Sequence, residues 1–456
     1  MEKIAFEKLV EITGGQVLQQ DQPAEITGVV IDSRRAGAGD LFVPIVGERV
    51  DGHDFIGNAA AQGCPVTLTE KRDLDFPWNI TVIYVSSCLE AMKAIAKYNR
   101  LRCKAVVTAV TGSSGKTTTK DLVAAVLSEK YKTLKTQGNF NNEYGIPQTL
   151  YNLEPEHEMA VIEMGMDHLG EIKASIDEVR PHLALITNIG TAHLEILGTQ
   201  DNILAAKSEI FGTMGDGDIA LLNGDDAYLN KIDAEKVPYK VARVGITVEN
   251  LDLRAEDVIS DAQGVRFVAD GVHWHFRYPG VHNVYNSLMA IWVGRHYGLT
   301  DSQIQAGLDH FTPSSNRMAL LEKSGIRVIN DAYNANPAAM RAALDMLADM
   351  AEGASRKIAV LGDMLEMGEA ETSGHREIGA YAAQKADVIL GVGPLSKLYL
   401  EGAKGVLSGE NLHWVPDAQA AGKLLLTLAK SGDVVLFKAS RGIKLEDGLK
   451  VFMEEA

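Results

Sequence analysis

A run of β-branched residues, KAVVTAV (104–110), passes directly into a loop of glycines and serines and then into a helix-forming stretch, so that residues 109–120 read AVTGSSGKTTTK. This order constrains the fold more than any other feature of the chain. A short valine-rich run has the character of a buried strand, and the residues after the loop, Lys116–Lys130, read as a helix. Strand, glycine loop and helix in succession make a phosphate cradle. Gly112 and Gly115 let backbone N–H groups turn inward around phosphate oxygens, with Ser113 and Ser114 between them. Lys116 can reach the β- and γ-phosphates of ATP, the Thr117 hydroxyl suits Mg²⁺, and Thr118 lies in the first turn of a helix whose N-terminus favours an anion. The loop departs from the pattern GxxxxGK[ST] at one place: the first glycine would fall at residue 110, which is Val.

The 456 residues suffice for three domains at roughly 150 residues each. The first hundred mix short strands (26–31, 41–46, 65–68, 81–85) with short helices, starting with an amphipathic helix that ends at Gly14-Gly15, and a helix over 88–101 leads onward. After the phosphate loop, strands at 159–164, 183–188 and 218–222 alternate with helices, the signature of a mostly parallel sheet covered on both faces. The segment 237–278 changes character, with alternating stretches such as VRFVADGVHWHFRYP, and reads as a small antiparallel insertion or edge before a helix over 283–297. Strands at 326–330, 357–361, 388–392 and 434–437 then form a second series resembling a doubly wound sheet. The expected architecture is α/β in three domains, 1–100, 101–312 and 313–456, with a hinge near Thr312-Pro313.

Composition narrows the class further. A net charge of −17 argues against a general nucleic-acid binder, which carries a basic footprint, while leaving room for local phosphate sites. Cys64, Cys88 and Cys103 form no CxxC pair and no zinc spacing, so they read as reduced thiols. No apolar run reaches the ~18 residues of a membrane span, and the N-terminus has no signal-peptide pattern. The expected location is the cytoplasm.

Three further polar residues belong with the loop. Glu163 follows the apolar run MAVI, His193 follows ALITNIGTA with Glu195 close behind, and Lys207 sits in the helical stretch AAKSEIF. Ligands of open α/β sheets bind outside the carboxyl ends of the strands, so Glu163 and His193 can share a site with the loop. A carboxylate and a neutral imidazole are reasonable ligands for a divalent ion carrying phosphates.

TGSSGKTTT, GNFNNEYGIP (138–147), VIEMG (161–165), TNIGTAHLE (187–195), KSEIF (207–211), GVHNVYN (280–286) and DAYNANP (331–337) occur in that order. Together they resemble the Mur ligases, enzymes that extend the peptidoglycan stem peptide, over essentially the whole chain. The strings GNFNNEYGIP and DxYNANP are similar to those of the branch that joins D-alanyl-D-alanine to UDP-N-acetylmuramoyl-tripeptide. The resemblance implies ATP and two Mg²⁺ ions, with Thr117 and Glu163 on one ion and His193 on the second, helped by Lys207 after carbamylation. It implies Asn283 and Asn286 beside the adenine, and Arg317, Asp331, Tyr333 and Asn334 closing over ATP from the C-terminal domain. For the UDP substrate it implies Ser33, Arg34, Arg49 and His53 in DSRR and GERVDGHDF, and Asn139, Asn141 and Asn142 in GNFNNE. GDMLEMGE (362–369) and KASR (438–441) belong to the same pattern, with Ala439 where glycine is expected and Ala332 where serine is; Asp363, Glu366 and Arg441 are candidates to face the dipeptide.

The implied reaction is amide synthesis in a monomer, through an acyl phosphate on the tripeptide carboxylate, giving the pentapeptide precursor, ADP and phosphate. A different Mur-type ligase, a folyl-polyglutamate-type ligase and a P-loop NTPase acting as a switch are the alternatives. The first domain with its DSR segment weighs against folate, and the lack of a DNPR string weighs against the diaminopimelate-adding branch.

Overall fold

The structure, a computed structural model, describes residues 1–21, 25–47, 49–73, 77–313, 317–351 and 356–454. The chain is a three-domain α/β fold, and each domain has its own mainly parallel sheet. The first contains β1 (Gln16–Gln19), β2 (Gly28–Val30), β3 (Asp40–Phe42), β4 (Val66–Thr69) and β5 (Thr81–Tyr84), in the spatial order β1-β5-β4-β3-β2 with only β1 antiparallel.

The central sheet carries β6 (Val106–Thr111), β7 (Thr133–Lys135), β8 (Met159–Glu163), β9 (Leu183–Ile186), β10 (Ile219–Asn223), β11 (Lys240–Gly245) and β12 (Leu253–Arg254). All are parallel, in the order β12-β11-β10-β9-β6-β8-β7. Alternation along each strand divides its residues between two cores. Val110, Val161, Leu185 and Leu221 face the helices Lys116–Ser128 and Val281–His296, in one apolar cluster that continues into the C-terminal domain at Met340 and Leu344. Ala109, Ile162, Ile186 and Leu222 face the other side, where Met92 and Ile95 of the helix Cys88–Arg102 tie in the first domain.

The expectation for 237–278 needs correction. Its first part, β11, runs parallel to β10 from Ile219↔Lys240 to Asn223↔Val244, extending the main sheet. Only β13 (Glu256–Asp261), β14 (Gly264–Ala269) and β15 (Val272–Phe276) form the separate antiparallel sheet. KVARVG looks half-exposed because it lies near the sheet edge, with its outer neighbour reduced to two residues.

In the C-terminal domain β16 (Ala319–Lys323) pairs antiparallel with β17 (Ile326–Asp331); β18 (Lys357–Gly362), β19 (Val388–Val392), β20 (Leu412–Val415) and β21 (Val434–Lys438) are parallel, in the order β16-β17-β21-β18-β19-β20. Thr312 and Pro313, the expected hinge, lie in neither helix nor strand, just before the undescribed residues 314–316. Among the described residues no helix is long and apolar enough to cross a membrane. The three cysteines are free and buried.

Candidate active site

Strand order explains why separate motifs meet. β6 lies between β8 and β9, so the loop leaving β6 is flanked by the ends of both neighbours: Glu163 closes β8, and Thr187–His193 follows β9. The glycine loop occupies the space between them. Gly112 has φ +147, and a Cβ there would lie 1.9 Å from Thr187 Oγ1; Gly115 has φ +79 at the helix start. The loop is braced from behind by an amide clasp: the Ser114 N–H donates to Asn188 Oδ1 (3.0 Å), Asn188 Nδ2 donates to Ser114 O (3.0 Å), and the Gly190 N–H donates to Ser113 Oγ (2.9 Å). No side chain caps the helix Lys116–Ser128, so its first N–H groups are available to an anion. Gly112→Ala is expected to cost about 1–3 kcal/mol in strain and to abolish the thermal shift produced by ADP. An unchanged melting curve with an intact ADP shift would refute this account of the loop.

Lys116 folds back, donating to Gly112 O at 2.7 Å. Burial of its ammonium lowers its pKa, opposed by the Glu163 carboxylate and reinforced by Arg317. Arg317 comes from the C-terminal domain, so that domain faces the phosphate loop. Its guanidinium lies 4.1 Å from the centre of the Tyr333 ring. A second approach of the two domains occurs at Gly368, where a Cβ would lie 3.0 Å from Glu195 Cγ.

Two buried oxygens in this pocket have no hydrogen-bond partner: Thr117 Oγ1 and Glu163 Oε2. Both side chains are 1% exposed. A buried carboxylate oxygen and hydroxyl left without a hydrogen bond are costly; a hard cation is a partner that would satisfy both, since the Lys120 ammonium stands 3.9 Å from Glu163 Oε2, beyond hydrogen-bond reach. The other oxygen of Glu163 accepts from Asn141 Nδ2 at 2.8 Å, which fixes the carboxylate. Asn141 is thus seated on Glu163, while Asn142 accepts from the Gly145 N–H at 2.9 Å and Asn139 is exposed.

His193 has φ +62 and places Nδ1 3.2 Å from Asp167 Oδ1; burial lowers its pKa, and Asp167 opposes that shift. Lys207 is 1% exposed and makes no ion pair among the described residues. Burial, with the nearby Lys116 ammonium, holds its pKa well below the usual lysine range against the Asp167 carboxylate, which favours the neutral, nucleophilic amine over the ammonium. The described residues contain no cluster of three or more His, Cys, Asp or Glu able to cage a metal.

Other predicted residues are spread more widely. Asn283 and Asn286 are buried in a chain that ends on the phosphate-loop helix: Thr119 Oγ1 donates to Asn286 Oδ1 (3.0 Å), Asn286 Nδ2 to Asn283 Oδ1 (3.2 Å), and Asn283 Nδ2 to Pro279 O (2.8 Å). Asp331 pairs with Lys438 at 2.6 Å, and Asn334 is exposed with its Oδ1 on the Ala335 N–H. Asp363 faces inward, accepting from the Ser396 N–H at 2.7 Å, whereas Glu366 is exposed.

In the first domain Ser33 is buried, Arg34 is paired with Asp32 at 2.8 Å, and Arg49 is exposed. Glu48 of the GERVDGHDF string lies outside the described residues. Both nitrogens of His53 are engaged, Nδ1 with Asp51 Oδ1 (2.7 Å) and Nε2 with the Glu70 N–H (3.0 Å). The accepting Nε2 places the proton on Nδ1, so the ring braces this turn.

Sequence reading missed Lys120. Its Nζ donates to Thr136 O (2.8 Å) and lies 3.2 Å from Asp121 and 3.9 Å from Glu163 Oε2. The available signal was its place four residues after Lys116, on the same helix face. It also missed Asp225, whose carboxylate accepts from Tyr285 Oη (2.8 Å) and from the N–H groups of Ile246, Thr247 and Val248. These bonds outweigh its burial and lower its pKa to about 2.

Comparison with known proteins agrees with this geometry. Family models match along the chain: "Mur ligase family, catalytic domain" over 25–107, "Mur ligase middle domain" over 110–294 and "Mur ligase, glutamate ligase domain" over 316–441. The UDP-N-acetylmuramoyl-tripeptide--D-alanyl-D-alanine ligase of Bacillus subtilis is 35% identical, with 100% of this chain and 99% of that protein covered. A crystal structure of MurF from Acinetobacter baumannii superposes with a TM-score of 0.90 at 31% identity, covering 100% of each chain. A MurF ligase from Thermotoga maritima in complex with ADP gives a TM-score of 0.82 at 29% identity, over 94% of this chain and 97% of that one. The phosphate loop, the orphaned oxygens of Thr117 and Glu163 and the full-length likeness lead to one conclusion: the chain belongs to the Mur ligase family.

Proposed function

We propose that this protein is an ATP-dependent ligase that joins D-alanyl-D-alanine to the tripeptide carboxylate of UDP-N-acetylmuramoyl-tripeptide, giving the pentapeptide precursor of peptidoglycan, ADP and phosphate. The observation that carries this reading is the buried pair of unsatisfied oxygens, Thr117 Oγ1 and Glu163 Oε2, beside a glycine phosphate loop. The relatives named for this reaction and similar over the full length specify the substrates. Residues 1–100 would hold the UDP substrate, 101–312 the nucleotide, and 313–456 would turn about Thr312-Pro313 and bind the dipeptide.

A carboxylate does not condense with an amine unaided, because its oxygen is a poor leaving group. In the proposed reaction the tripeptide carboxylate attacks the γ-phosphorus of ATP, the bond to the β,γ-bridging oxygen breaks, and ADP departs. The dipeptide amine then attacks the acyl carbon, loses a proton, and phosphate leaves. Anionic groups must be brought together, so catalysis rests on charge neutralisation and in-line positioning. Lys116 and Arg317 supply positive charge from opposite domains, and the loop N–H groups hold the phosphates. Thr117 and Glu163 would hold one Mg²⁺, and His193 with a carbamylated Lys207 a second; when bound, these ions neutralise phosphate charge. In this reading the neutral amine of Lys207 adds to CO₂, forming an N–C bond and releasing a proton, which converts a buried amine into an anionic ligand. Closure of the C-terminal domain over the loop would shield the acyl phosphate from water.

The test is phosphate release by the purified protein given ATP, Mg²⁺ and UDP-N-acetylmuramoyl-tripeptide, with and without D-alanyl-D-alanine. Release should require the dipeptide and match amide formed; release indifferent to the dipeptide would sink the ligase reading.

A further inference from the structure

The dipeptide substrate has a free carboxylate that the reaction leaves untouched. A cation with hydrogen bonds to offer is a strong partner for an anion of this kind. We propose that Arg441 binds the terminal carboxylate of the incoming dipeptide, an assignment that rests on the ligase reading above.

Three loops meet at the carboxyl ends of β17, β21 and β18, where an open α/β sheet takes its ligands. They are pinned together at Ser440: its N–H donates to Asp363 O (3.1 Å), while its Oγ accepts from the Leu365 N–H (2.9 Å) and donates to Ala335 O (3.4 Å). This mouth faces the middle domain, through Arg317 toward Lys116 and through Gly368 toward Glu195. Arg441 therefore stands on a fixed frame at the edge of the reaction space.

The cations available there are few. The loops after β17 and β18 carry none; Lys438 closes β21, and the turn after it carries Arg441 and, just before the last helix, Lys444, whose single ammonium offers no planar fork. Lys438 is 3% exposed and already engaged, with Asp331 Oδ2 at 2.6 Å and Asn334 O at 2.8 Å. Arg317 is committed to the phosphate side. Arg441 is exposed, and its Nη1 pairs with Glu446 while Nε and Nη2 have no partner among the described residues. Those two N–H groups lie on one edge of the planar fork and can take a carboxylate with two parallel bonds.

The spacing fits the substrate. The guanidinium groups of Arg317 and Arg441 lie 4.1 Å and 5.8 Å from the same Tyr333 ring centre, hence no more than about 10 Å apart. A dipeptide extends about 7 Å. With its carboxylate on Arg441, its amine reaches toward the phosphate side, where the acyl carbon must form.

The experiment compares D-alanyl-D-alanine with its C-terminal amide as acceptors for the full-length protein, with ATP, Mg²⁺ and UDP-tripeptide saturating. Wild type should favour the carboxylate by at least about tenfold in kcat/KM, the scale of a charge-assisted hydrogen bond. Arg441→Gln should raise the KM for the dipeptide by at least about tenfold, leave kcat and the KM for ATP unchanged, and bring the carboxylate-to-amide preference close to one. Arg441→Lys, which keeps the charge and loses the fork, should fall between. An active Arg441→Gln enzyme that keeps the wild-type preference, or whose KM rises equally for both acceptors, would overturn the assignment alone. A wild-type protein that ligates neither acceptor would overturn the ligase reading and this assignment with it.

Discussion

Lys116→Ala is expected to lower dipeptide-dependent phosphate release by at least about 2–4 kcal/mol of transition-state stabilisation, or roughly two to three orders of magnitude in rate, while the protein stays folded. The ammonium lies at the phosphate loop, within electrostatic reach of Glu163 and Arg317. In the proposed reaction it would stand where charge develops during transfer to a carboxylate. Its burial disfavours its own charge in the absence of an anion, so the native fold gains little from it beyond one hydrogen bond to Gly112 O. Catalysis and stability should therefore separate. Steady-state kinetics and thermal melting on the same preparation check both halves. Near-normal turnover would remove the phosphate-loop assignment, and collapse of the fold would show that Lys116 supports the loop structurally.

Lys207→Ala is the second large effect. The residue is 1% exposed and has no ion pair among the described residues, and burial together with the Lys116 ammonium favours its neutral form against the opposing Asp167 carboxylate. A buried amine without an ion-pair partner is poor design for a lysine and good design for a carbamate. The variant should lose at least about two orders of magnitude in turnover, the scale of one positioned electrostatic group, and a short carboxylic acid such as acetate should restore part of it by entering the vacated space. Removing dissolved CO₂ should slow the wild type and leave the variant unchanged. No rescue, together with a wild type indifferent to CO₂, would leave Lys207 as an unmodified lysine.

Several local features were legible because their chemistry is contiguous. The phosphate loop needs strand, glycines and lysine within a dozen residues, and both glycines occupy conformations that side chains resist. The departure at residue 110 is likewise intelligible in place: Val110 belongs to β6, fully buried against the helix that follows. Ala439, which stands where glycine was expected, is accommodated from the other side of the contact, since a Cβ on Gly362 would lie 2.6 Å from its methyl. The parallel strand β11 was missed because an edge position gives a buried-sheet strand the alternation of an exposed one.

Roles that depend on partners far away in sequence could not be read. His53 looks like a ligand-binding histidine in its string, yet the Glu70 N–H and Asp51 occupy both nitrogens. Asn141 looks like a substrate contact, and its amide holds Glu163 from 22 residues away. Asp363 points into its own domain, while Arg441 keeps two donors without a partner among the described residues.

The sequence by itself determined the glycine phosphate loop, the three-domain α/β plan and the family, because each is written in local periodicity or in contiguous strings. The tertiary structure decided which polar groups share a pocket. Placing β6 between β8 and β9 brings Glu163 and His193 to the loop, and packing the C-terminal domain over it adds Arg317. Burial then favours the neutral form of Lys207 and leaves Thr117 Oγ1 and Glu163 Oε2 without hydrogen-bond partners. Charge state and metal affinity depend on desolvation and on neighbours brought together by chain crossovers, quantities that exist only once the chain has folded.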